Sequence, residues 1–145
     1  VNLKNYCKHV QDAGDLDLLF RDILKFHWID EAQHAKADSL LIKEVAGSFS
    51  AAERESAVDE LLELGGAIDG LLAQQVDMDI TALQNVTGRH FSAVEREDIS
   101  SHQRRAYRWT FIVSGLEHPK FIEVVGQLTD TGKGKIAGAA RALSN

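Results

Sequence analysis

A single proline, Pro119, interrupts 145 residues, and that scarcity constrains the fold more than any other feature of the chain. Proline ends or kinks a helix because it lacks an N–H and its ring collides with the preceding turn. A chain with only one is free to run helical for long stretches, and the apolar spacing predicts that it does. The first helical pattern runs from about Asp15 to Val45 and is ended by Gly47. Ser50-x-x-Glu53 is a capping box that opens a second, continuing to about Val86 before Thr87-Gly88 breaks it. Ser92-x-x-Glu95 opens a third that reaches about Leu116. Pro119, at a first-turn position, starts the short helix "PKFIEVVGQL", and the tail "TDTGKGKIAGAARALSN" reads as a loop and a final helix. No segment alternates with period two, and nothing repeats. The expected fold is all-α: one domain over residues 1–145, with long antiparallel helices joined by short connections into a bundle.

Composition narrows the function classes. Hydrophobic residues make up 44% and charged residues 26%, which is globular. The net charge of −6 and the lack of a basic tail argue against nucleic acid or an anionic membrane as partner. No apolar run approaches the length of a membrane span. The lone cysteine, Cys7, cannot form an intramolecular disulfide, so a reducing, cytoplasmic setting is expected. "HQRRAYRWTF" interleaves arginines with aromatics, but helical winding sets Arg104, Arg105 and Arg108 away from His102 and Trp109. A salt-bridged surface or a protein interface is the reading there, not a nucleic-acid groove. "TDTGKGKIAG" fails as a phosphate loop: Gln127 stands where the first glycine belongs, and Gly134 where a hydroxyl should follow the lysine.

The chemistry concentrates in "LKFHWIDEAQHAKADSLL", residues 24 to 41. His27, Glu31, His34 and Asp38 are spaced by four, three and four residues, which stacks them on one helix face. Leu16, Phe20, Ile23, Leu24, Leu41, Ile42, Val45 and Phe49 lie on the same stripe, with Arg21, Lys25, Lys36 and Lys43 on the other side. The four polar groups are therefore expected to point into the core. An unpaired buried carboxylate costs several kcal/mol, so a cation among them is the economical compensation. Mixed carboxylate and imidazole donors suit iron or manganese, and zinc less exclusively. The expected metal ligands are His27, Glu31 and His34, with Asp38 a ligand or a partner that orients a histidine. The alternative is a hydrogen-bonded polar cluster in the core of a non-enzymatic helical interaction module.

"FHWIDEAQHAKAD" resembles a half-site of the ferritin-like diiron carboxylate proteins, and His27-x-x-x-Glu31-x-x-His34 is similar to the motif of the p-aminobenzoate N-oxygenase type. The resemblance implies a ferritin-like bundle or half of one, two irons, O₂ as co-substrate and oxygenation of a small molecule. It covers about a dozen residues, and only His27, Glu31 and His34 match it. A complete site of that family takes further glutamates and a second Glu-x-x-His from earlier helices, and the 26 residues before His27 contain no glutamate. The expectation is that the missing donors come from a second copy, or that this is the C-terminal part of a longer protein. Ile29, an apolar residue on the lysine-bearing side, fits a surface covered by further helices.

Later helices offer weaker candidates. On the second, Leu61, Leu64, Ile68, Leu72 and Val86 form the expected apolar stripe, with Gln75 and Asp79 inside it and Glu60, Glu63, Gln74 and Asp77 on a solvated side. Asp79 is read as a buried hydrogen-bonded acid, with metal ligation the lesser alternative. Gly65, Gly66 and Gly70 suggest a kink or a close helix approach. On the third, His102 sits among Ile99, Ala106, Trp109, Val113 and Leu116 and reads as a satisfied core histidine.

Overall fold

A computed structural model describes residues 16–144. The chain is all-α, with no strand among the described residues. Helix α1 spans Leu18–Ala46 and α2 spans Ala51–Thr87; α3 (Ala93–Arg108) runs through a π-helical turn (Trp109–Val113) into a last α-helical turn, α4 (Ser114–Leu116). Two shorter helices follow, α5 (Pro119–Leu128) and α6 (Gly132–Ser144). The predicted start near Asp15, and Cys7, lie outside the described residues.

Local chemistry sets the helix ends. Asp17 caps α1, its carboxylate accepting from the Leu19 and Phe20 amides at 2.9 and 3.3 Å. Both predicted capping boxes form. Ser50 Oγ accepts from Glu53 N at 3.3 Å while Glu53 Oε2 accepts from Ser50 N at 2.7 Å, and Ser92 with Glu95 repeats the arrangement at 3.3 and 2.9 Å. Gly88, at φ +66, stands just past α2 in the left-handed conformation that glycine adopts without penalty. The Gly-rich tail is helical sooner than its composition suggests. Thr129 Oγ1 accepts from Gly132 N at 2.7 Å, and a Cβ at Gly132 would stand 2.5 Å from that hydroxyl. Gly65, Gly66 and Gly70 do not mark a close approach: a Cβ at each would meet open space.

The chain divides into two compact units, the boundary falling between Arg54 and Glu55 within α2. In the first unit α1 buries only Ala46. The apolar stripe predicted to face a core is exposed instead, with Phe20 at 48%, Ile23 at 56% and Leu41 at 58% of full exposure. Amphipathic periodicity marks a face fit for burial, but another element must supply the cover.

In the second unit Val58, Val125 and Ile136 form the core, with Leu62, Leu116 and Phe121 packed around them. Removing side chains of this size from water stabilises by about 2 kcal/mol each. Helices α2 and α3 run antiparallel, Gln84 meeting Arg96 near their connection and Asp69 meeting Arg108 farther along. The inward stripe of α2 is Val58, Leu62, Asp69, Val76 and Ile80, about one residue later in phase than predicted. Leu61, Leu64 and Val86, expected inside, are 40%, 57% and 86% exposed.

The third helix is also turned relative to its reading. Arg104 and Arg108 face α2, whereas Ala106 and Trp109 are exposed. The π turn explains the phase. It accommodates one more residue than an α turn, so with Val113 inward the preceding inward positions are Arg108 and Arg104 rather than Trp109 and Ala106.

Candidate functional site

On α1 the carboxylate of Glu31 lies between two imidazoles. Its Oε1 is 3.8 Å from His27 Nε2 and its Oε2 is 3.7 Å from His34 Nδ1. The other ring nitrogen of His34 is 3.9 Å from Asp30 Oδ1, an acid the sequence reading passed over. Asp38, one turn beyond His34, is exposed and takes no part in these pairs. The structure thus brings together His27, Glu31 and His34 and leaves Asp38 outside. It also corrects the expected burial: the three side chains are 59%, 44% and 62% exposed.

The donor types suit a transition metal, since an imidazole on each side of a carboxylate one turn away is a bundle arrangement. Each imidazole meets a different oxygen of Glu31, however, and the outer side of the cluster is open. Among the described residues no group of three or more His, Cys, Asp or Glu side chains is gathered closely enough to hold a metal ion. What α1 presents is a row of three polar side chains, His27, Glu31 and His34, open to solvent along one face of the helix.

The second unit contains a denser charged cluster, which the sequence reading missed. Asp69 is only 9% exposed. Arg108 grips it as a fork, Nε to Oδ1 at 2.7 Å and Nη2 to Oδ2 at 2.9 Å, and Arg104 Nη2 adds a contact to Oδ2 at 3.1 Å. The Arg108 hydrogen bonds, and then those of Arg104, hold the Asp69 carboxyl below its usual range against the opposing effect of burial. The available signal was Asp69 at helical spacing with Val58, Leu62, Val76 and Ile80, together with two arginines four residues apart on α3.

Asp79 is hydrogen-bonded, as expected, but half-buried rather than buried. The Tyr107 hydroxyl donates to Oδ2 at 2.5 Å and Gln75 Nε2 to Oδ1 at 2.7 Å, lowering the carboxyl and raising the phenol. Tyr107 also packs edge-on against Phe111 at 5.8 Å between centroids. His102 is not a core histidine. Its side chain is 66% exposed, with Nδ1 2.8 Å from the Asp98 carbonyl and 3.4 Å from the Asp98 carboxylate. At the base of this unit Glu55 accepts from the Thr131 hydroxyl at 2.6 Å and pairs with Lys135 at 3.0 Å, while Lys135 donates to Asp59 at 2.6 Å. Thr131 first and Lys135 second hold the Glu55 carboxyl down to about 2.

Both oxygens of Asp69 and of Asp79 are engaged, so these groups fix the α2–α3 register and offer no free ligand atom. The His27–Glu31–His34 face, by contrast, is accessible along its whole length. No family model matches the chain, and neither a curated protein nor a solved structure matches it. Among the described residues no helix is long and apolar enough to cross a membrane.

Proposed function

We propose that this chain is a metal-binding helical domain of the non-haem dimetal type, serving an oxygenase or related oxidoreductase. The observation that carries the reading is the Glu31 carboxylate set between the imidazoles of His27 and His34 on one face of α1. His27 and His34 would donate as neutral imidazoles, Glu31 as carboxylate, and Asp38 as a fourth ligand or as a group orienting His34. Iron best suits such a mixed donor set, with manganese or zinc as alternatives. The resemblance adds that a bound dimetal centre supplies O₂ activation for oxygenating a small-molecule substrate. Further donors are required, from a second copy or from additional helices.

A second reading has its own observation in favour. The length of exposed apolar surface on α1, from Leu18 to Val45, suits a non-enzymatic interaction module. Elemental analysis by plasma mass spectrometry, after removal of loosely held metal, separates the two. The dimetal reading expects about one or two ions per chain, lost in His34→Ala. A wild type as metal-free as that variant, yet fully helical by circular dichroism, would leave the interaction module standing.

A further inference from the structure

The face that carries the candidate ligands is built as a palindrome. Along α1 the residues Phe20, Leu24 and His27 approach the midpoint between Ala32 and Gln33 in steps of four and three. Asp38, Leu41 and Val45 leave it in the mirrored steps, with Glu31 and His34 flanking the centre. Alternating steps of three and four are the seam of a two-stranded coiled coil. In an antiparallel pair, layers form between positions equally distant from the midpoint. Such a pair sets Glu31 against the second copy's His34, and His27 against its Asp38. Every central layer then joins an imidazole to a carboxylate. Outside them Leu24 meets Leu41 and Phe20 meets Val45, apolar against apolar.

We propose that α1 associates with α1 of a second copy, antiparallel and in this register, and that the two copies together complete the donor set. The proposal rests on the dimetal reading for its second half only. Charge complementarity selects this occupant and this direction, because a parallel in-register pair would stack Glu31 on Glu31 and Asp38 on Asp38, with both histidines likewise on themselves. The exposure of the seam fits the same conclusion: His34, Leu41 and Val45 are 62%, 58% and 44% exposed within one chain. The symmetry also answers the geometry at Glu31. Two imidazoles from its own helix lie 3.7 and 3.8 Å away, and the partner adds carboxylate and imidazole donors from the open side.

The test uses the full chain with Cys7→Ser, to which Leu24→Cys and Leu41→Cys are added singly and together. Under mild oxidation the double variant is expected to give several-fold more covalent dimer than either single variant, since each new cysteine faces the other type across the seam. Self-linking of Leu24→Cys alone as efficient as that of the double variant would overturn the register in favour of a parallel pair. The unsubstituted chain is followed by sedimentation velocity at about 100 µM, with chelator and with Mn²⁺. Dimer under both conditions sustains the pairing, and if no metal is retained it sinks the dimetal reading alone. Monomer under both conditions overturns the pairing, and monomer that still holds metal leaves the dimetal reading intact.

Discussion

Replacing Asp69 by asparagine removes the carboxylate that Arg104 and Arg108 share, leaving two guanidiniums against a neutral amide at a site 9% exposed. Breaking a largely buried, forked ion pair on one side costs about 2–3 kcal/mol. Arg104→Ala costs well under about 1 kcal/mol, because its side chain is 42% exposed and makes only the third contact. Urea unfolding of the two variants should therefore separate clearly, and equal losses would mean that Asp69 is held by something other than the Arg108 fork. This residue also explains why the inner face of α2 was misread. An aspartate counts against burial when helix faces are read from hydropathy, and only the two arginines on a separate helix make it an inside position. The opposite error occurred on α1, where His27, Glu31 and His34 sit among apolar neighbours and read as buried. In the folded chain they are accessible, because no neighbour in sequence can say what covers a face.

At the scale of elements, the capping boxes at Ser50 and Ser92 and the glycine after α2 were legible because they act over three or four residues of chain. The π turn at Trp109–Val113 was not. A regular 100° winding that keeps Val113 inward also carries Ala106 and Trp109 inward, whereas the wider turn holds one residue more, so that Arg108 and Arg104 take their place facing α2. Deleting Thr110 should convert the turn to regular α-helix while keeping Val113 inward and both arginines on Asp69. The expected loss of stability is within about 1 kcal/mol, measured by denaturant midpoint at unchanged helicity. A collapse of cooperative unfolding would show that the wide turn itself, and not merely the phase it sets, holds α3 to the unit.

For the whole molecule, acid titration reads the tertiary ion pairs together. Glu55 is depressed to about 2 by Thr131 and Lys135, from an ordinary value of 4.5. A depressed carboxyl contributes stability that is present above its unfolded value and lost as pH falls through its folded one. The Glu55 contribution is therefore complete above about pH 4.5 and disappears toward about pH 2. Asp69, also lowered, loses its contribution as pH falls below the usual aspartate range. Lys135 is raised above 10.5 by Asp59 and then Glu55, so its share is present below that pH and lost only on strong alkalinisation. Denaturant midpoints should fall steeply between about pH 4.5 and pH 2, and Glu55→Gln should flatten that slope. An unchanged slope in Glu55→Gln would place the acid sensitivity on other carboxylates.

The sequence by itself determined the all-α class, the helix order, the caps and the clustering of His27, Glu31 and His34 on one face. All of these follow from steps of three and four residues along a single helix. The phase of α2 and α3 against each other was decided only in the tertiary structure, as were the inside position of Asp69, the link from Glu55 to Thr131 and Lys135, and the exposure of the α1 stripe. Each depends on groups brought together from separate helices, or on cover that a helix cannot supply for itself, and the period of one helix does not say which of its faces will meet them.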